Sequence, residues 1–320
     1  MPKAEKKTKS STKTTKLASS ARTRKLTKKQ TKVKKKSSAK KLPMAGNLRL
    51  TAKVFVTLKN NWMVLGGIML VYLILNIVFA SGVSSIANTV TNIKADLNST
   101  SAHAHPLASG VSGFAALIFS AGAGSSSTGS TLQAVLIILQ SLVIIWALRH
   151  LIAGQKIGIK QAYYHASAPL VPFLLVLAFM FIQLLPITFG SAALAAVSVS
   201  LGSLNAGITI LFGLIFLALA AWSIYMLSAS IFALYIVTLP DMKPRDALRS
   251  AKKLVRYRRL QILRRVIFLP VLILLTMSII VVPLILYATS LVVPVFYLLS
   301  VIAFLFTHTY FYSLYRELLA

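Results

Sequence analysis

From Trp62 onward the chain alternates long apolar blocks with more polar segments of varied length. The apolar blocks fall near residues 62–82, 131–152, 168–189, 209–238, 266–288 and 291–315. A helix rising about 1.5 Å per residue needs about 20 such residues to cross the hydrocarbon of a bilayer. Each block has that length, and none contains Asp or Glu. The pattern predicts an all-α polytopic membrane protein, with six transmembrane helices in a domain over residues 46–320. The fourth apolar run, Ile208–Leu239, is longer than a bilayer needs, so it is expected either to tilt or to project beyond the membrane as helix. Val111–Ser120 is apolar but too short to span, and is expected to be an interfacial or re-entrant piece. Gly122–Ser130, rich in Gly and Ser, is expected to be a flexible linker.

The polar positions are concentrated before the first block. Residues 1–41 hold 15 Lys and two Arg against one acid, Glu5. Leu17, Leu26 and Val33 are too sparse to build a core that would offset the entropy of ordering. Residues 1–45 are therefore expected to be a disordered lysine-rich tail. Lys25, Lys28, Lys29, Lys34, Lys35 and Lys36 are its densest charge and the candidate polyanion contacts. The tail is Lys-rich with no apolar stripe, unlike the amphipathic, Arg-rich mitochondrial address. The first apolar run begins near Trp62 and is long enough to span, so a cleaved signal peptide is not expected.

Charge then orients the spans. Of 35 Lys and Arg, 34 fall on one side of a six-span arrangement, and Lys94 is the exception. Lys and Arg in short flanking loops stay on the cytoplasmic side, so both termini are expected there. The loops 83–130 and 190–208 and the turn at 289–290 are expected outside. The composition agrees with a membrane protein: 320 residues, 57% hydrophobic, formal charge +30, mean hydropathy +0.77. Cysteine is absent, which excludes disulfides and thiolate metal sites.

Ten basic residues lie between the fourth and fifth spans, from Lys243 to Arg265. Pro244 suits a first helical turn and Asp246 the positive end of the dipole. Ala247, Leu248, Ala251, Leu254, Val255 and Ile262 share one helical face, away from Arg249, Lys252, Lys253, Arg256 and Arg259. A basic amphipathic helix of this kind lies at an anionic leaflet with its apolar face in the acyl boundary. Those five cations are the candidate anionic-lipid contacts. Leu50, Val54, Phe55 and Leu58, flanked by Arg49, Lys53 and Lys59, form a second amphipathic stretch, a candidate interfacial lead-in to the first span. Residues 237–268, VTLPDMKPRDALRSAKKLVRYRRLQILRRVIF, resemble the cytoplasmic helix of a group of multi-span bacterial membrane proteins. That group includes the membrane domain fused to some glycerophosphodiester phosphodiesterases. The resemblance implies a bacterial inner membrane. It transfers no phosphodiesterase activity, because the 320 residues contain no such domain, and the lysine-rich tail departs from the group's pattern.

Reaction chemistry is hard to place on this chain. The five acids, Glu5, Asp96, Asp241, Asp246 and Glu317, all fall outside the apolar blocks, so no span offers the buried carboxylate common in ion-coupled transport. Gln140, Gln183 and His308 are the candidate intramembrane polar path; interhelical hydrogen bonding is the plainer role for them. His103 and His105 could contribute two metal ligands, but no third is evident. Asn98-Ser99-Thr100 matches a glycosylation sequon. No Walker loop, His-Glu-x-x-His or Gly-x-Ser-x-Gly motif occurs. The expectation is a non-enzymatic integral membrane protein without cofactor or metal. It would engage anionic lipid headgroups first and nucleic acid or ribosome second, through the tail. The alternatives are a permease or channel-like transporter and, third, an enzyme acting on lipid headgroups.

Overall fold

The computed structural model describes residues 46–80, 82–97, 113–114, 116–118, 127–201 and 206–319. The expected disordered tail lies outside the described residues, with all six of its candidate lysines. So do His103, His105 and the sequon at Asn98. Among the described residues there is no strand. The helices are α1 (Asn47–Asn60), α2 (Trp62–Leu75), a π-helical turn at Asn76–Ala80, α3 (Gly82–Leu97) and α4 (Ser127–Ile152). They continue as α5 (Ile159–Ala166), α6 (Leu170–Leu201), α7 (Ala206–Val237), α8 (Pro244–Val255), α9 (Arg259–Tyr287) and α10 (Thr289–Leu319). Six stretches are long and apolar enough to cross a membrane: Trp62–Phe79, Gly129–Ile152, Leu170–Val197, Ile210–Val237, Arg259–Tyr287 and Thr289–Leu319. They match the six apolar blocks one for one.

Helix ends follow local chemistry. Gly154, at φ 81°, stops α4 in a left-handed residue. The N–H of Gln155 then reaches back to the His150 carbonyl and that of Gly154 to Leu151, closing the orphan carbonyls of the last turn. Pro244 opens α8 with Asp246 in its first turn. Several boundaries differ from the pattern, two of them instructively. Ser127–Ser130, expected as linker, is the first turn of α4. Residues 190–201, expected as loop, continue α6. That stretch is rich in Ala and lacks Pro, and the Ser191 hydroxyl donates back to the Thr188 carbonyl at 2.9 Å, so nothing in it breaks a helix.

α10 is the central post. It packs against α1, α2, α3, α4, α7 and α9, and Thr309 through Tyr315 are all buried in succession. That stretch is covered on every side, as expected inside a bundle, whereas the first half of the helix keeps an exposed face at Leu291, Leu298 and Ile302. At the end of the domain that carries the α9–α10 turn, Ile86 and Ile93 of α3 join Phe114 and Leu117. These pack on Met277, Val281 and Ile285 of α9 and on Val292 and Phe296 of α10. The short apolar piece near residues 113–118 is thus a plug over the turn between two spans. α1 is likewise more than a lead-in: Leu50 and Val54 are buried, and the helix packs on α10 and α2. Its Phe55 stays exposed.

Candidate functional site

The opposite end of the domain gathers the cations, and three of them tie the spans together. Arg149, near the end of α4, donates from Nη1 to the Thr238 carbonyl at 2.6 Å. Its Nη2 donates to the Tyr235 carbonyl at 3.2 Å and to Thr238 Oγ1 at 2.5 Å. These are carbonyls that the end of α7 leaves without helical partners, so the guanidinium caps α7 from another span. Arg316 donates to the Ile152 carbonyl at 3.3 Å and does the same for α4. Arg265 and Glu317 join α9 to α10 through an ion pair at 2.7 Å, with the two side chains only 5% and 18% exposed.

α8 lies on this end, folded back along α7. Ala247, Ala251 and Val255 are completely buried on the face that meets α7 and α6. The chain breaks helix at Arg256–Arg258. Arg259, the first residue of α9, then donates to the Tyr225 hydroxyl at 2.6 Å, its guanidinium 5.0 Å above that ring. α8 therefore retraces α7 from Val237 toward Tyr225. This corrects one expectation: the apolar face of the basic helix is covered by the protein's own helices and is not left for acyl chains. Four of the five sequence-predicted cations, Arg249, Lys252, Lys253 and Arg256, are exposed. They project from a helix whose other side is anchored. Arg259 stands apart, half-buried against Tyr225. The 32 residues of α7 make about 48 Å of helix, against about 30 Å of hydrocarbon. The stretch retraced by the basic helix accounts for that excess.

The residues proposed as a polar path have separate surroundings. Gln140, on α4, donates to the Ile68 carbonyl at 3.3 Å and accepts from the Tyr163 hydroxyl at 2.9 Å. Tyr163, on α5, also reaches the Ile68 carbonyl at 3.1 Å, and burial pushes its hydroxyl up to about 12. Gln183, on α6, offers its backbone carbonyl to Ser223 of α7 at 3.0 Å. His308, on α10, bonds through Nδ1 to the Phe304 carbonyl at 3.0 Å. A neighbouring network centres on Asn76, a polar residue inside the first span, whose tyrosine partners were not legible from the pattern. Tyr297 donates to Asn76 Oδ1 at 2.8 Å, and Asn76 Nδ2 reaches the Tyr72 hydroxyl at 3.4 Å. These groups border an uncharged cavity of about 170 Å³ at the π-helical turn.

A larger cleft, of about 710 Å³, opens where the ends of α4 and α7 meet the start of α6 and the turn into α8. Its floor is a ring stack: Trp146 lies 3.9 Å from His150 and 5.8 Å from His165. Arg149, Asp241 and Lys243 bring both signs of charge to its walls, while Pro169, Pro172 and Met242 are among its apolar side. The only sequence signal for this cleft is the i, i+4 spacing of Trp146 and His150 at a span end, since His165 arrives from another helix. No group of three or more His, Cys, Asp or Glu suited to a metal ion occurs among the described residues.

A helical domain of this length and apolarity, with six stretches able to cross a membrane, defines a multi-pass integral membrane protein. Comparison with known protein families, with curated proteins and with solved structures finds no match to this chain.

Proposed function

We propose that this chain is a non-enzymatic integral membrane protein that engages anionic partners at its basic end, acidic lipid headgroups first. The basic end faces the cytoplasm of a bacterial inner membrane, with both termini on that side. The observation that carries the reading is the anchoring of α8. With Ala247, Ala251 and Val255 buried against the protein, Arg249, Lys252, Lys253 and Arg256 form a cationic ridge on a supported helix. Among the described residues no carboxylate pairs with them, the one ion pair being Arg265–Glu317. A ridge held in place loses less entropy on binding than a free helix would. Each cation near an anionic leaflet contributes about 1 kcal/mol. Ten basic residues between Lys243 and Arg265 exceed what orientation of one span requires. The resemblance of residues 237–268 to bacterial membrane proteins favours the same side and the same membrane.

The tail extends this reading. Lys25, Lys28, Lys29, Lys34, Lys35 and Lys36 have no interleaved aromatics, so their binding to lipid or nucleic acid is sequence-independent and weakens steeply with salt. A permease reading draws on one observation, the uncharged cavity beside Asn76 and Tyr297.

The test is lipid retention by the full chain purified in mild detergent, measured by native mass spectrometry. Replacing Arg249, Lys252, Lys253 and Arg256 by Gln should leave unfolding unchanged, since all four are exposed, and cut retained phosphatidylglycerol severalfold. A second arm removes residues 1–41, to separate the tail's share. Full retention of acidic lipid by the folded ridge variant would restrict α8 to orienting the fifth span.

A further inference from the structure

We propose that the cleft between the ends of α4 and α7 and the start of α6 binds a phosphate–ammonium headgroup, one ligand carrying both charges, as in phosphoethanolamine attached to glycerol. This goes beyond the ridge on α8, which offers positive charge alone.

The cleft's charges decide the ligand's character. Asp241 and Lys243 stand two residues apart on the turn between α7 and α8, and both are exposed and line the same space. Among the described residues the ion pair is Arg265–Glu317, so the Asp241 carboxylate is not paired with Lys243 or Arg149. Two opposite charges thus face one cavity without neutralising each other. A purely anionic ligand would be repelled by Asp241. A purely cationic one would meet Lys243 and Arg149. A ligand with a phosphate at Lys243 and an ammonium at Asp241 satisfies both.

The turn is built to hold this arrangement. Asp241 sits at φ 57°, a left-handed conformation that Asp and Asn tolerate better than other non-glycine residues. Pro240 and Pro244 bracket the segment and restrict its backbone. Arg149 is held by the Tyr235 and Thr238 carbonyls and so lends a fixed positive field.

Size and apolar lining point to a headgroup with part of its glycerol. The volume of about 710 Å³ falls within the usual range for small-molecule sites, about 300–1,000 Å³. Pro169, Pro172, Leu239 and Met242 give it an apolar side at the ends of membrane-length helices, where acyl chains meet headgroups.

The experiment uses the full chain in detergent, with unfolding temperature followed as lipid is titrated. The probes are phosphatidylethanolamine, phosphatidylglycerol and soluble glycerophosphoethanolamine. Asp241→Asn keeps the shape and the tolerance for a left-handed backbone while removing the charge. The expected result is saturable stabilisation by phosphatidylethanolamine. Asp241→Asn should weaken it about tenfold, the size of one lost charge-assisted hydrogen bond, with no loss in phosphatidylglycerol binding. Lys243→Gln should weaken binding of both lipids. Competition by glycerophosphoethanolamine at equal concentration would assign the site to a soluble ligand, and its absence to the lipid. Either result supports the headgroup chemistry. Equal response to both lipids in the unmodified chain, or an unchanged phosphatidylethanolamine response in Asp241→Asn, overturns the proposal. Failure of the ridge proposal reads differently: it appears in phosphatidylglycerol retention with α8 variants and leaves Asp241→Asn unaffected.

Discussion

Arg265 and Glu317 illustrate how a charge near a span end becomes structural. The pair is 2.7 Å long, and Arg265 is almost wholly removed from solvent. Two charges taken out of water gain little over an apolar pair, but stranding one of them is expensive. Glu317→Leu should therefore destabilise the protein by about 3 kcal/mol, the lower end for a broken buried pair because Glu317 keeps some exposure. The double variant Arg265→Met with Glu317→Leu should recover most of that loss. Chemical unfolding of the three variants in detergent measures it, and a double variant no better than the single one would contradict the account. Neither residue's partner was legible in the chain. Arg265 reads as one of ten basic loop residues, Glu317 as an acid near the terminus, and 52 positions separate them. The same holds for Arg149, whose targets at and just past the end of α7 are 86 and 89 positions away.

At the scale of elements, α8 is where pattern and packing part company. Its amphipathic spacing was readable, and so were its start at Pro244 and its cationic face. What covers the apolar face was not, because a helix stripe looks the same whether lipid or protein lies against it. The two cases differ in their tolerance for added volume. A position facing lipid accepts Leu for Ala, whereas a filled contact between helices does not. Ala251→Leu should cost about 1–3 kcal/mol if α8 is packed on α7 and α6. Ser250→Leu, on the exposed side next to it, should be near neutral. Thermal unfolding of the two variants distinguishes them, and equal stabilities would detach α8 from α7. The extension of α6 to Leu201 has a simpler cause: residues 190–201 are uncharged but carry four Ala, two Leu and no Pro, and low charge alone was a poor sign of a loop.

At the scale of the whole domain, the described residues separate by charge. Arg149, Arg265, Arg316 and the α8 ridge share one end, while the α9–α10 turn and α3, which bears Lys94, share the other. With the positive-inside rule this predicts tags at residue 2 and after Ala320 on the cytoplasmic side. A tag inserted between Gly122 and Ser126, ahead of α4, should be reached only from outside. Accessibility mapping in intact cells tests all three positions, and a cytoplasmic report from the middle one is incompatible with six spans and both termini inside.

The chain by itself determined the number of stretches able to span and their approximate ends. These depend on transfer of each segment between water and hydrocarbon, a local property that hydropathy and length capture. Tertiary structure alone decided that α10 is the central post, that α8 folds back on α7, and that Trp146, His150, His165, Asp241 and Lys243 border one cleft. In a membrane an apolar side chain is about as well placed against lipid as against another helix, so hydropathy carries no information on which faces meet. Those choices rest on close packing, on capped carbonyls and on hydrogen bonds between positions far apart in the chain, and they exist only once the helices are assembled.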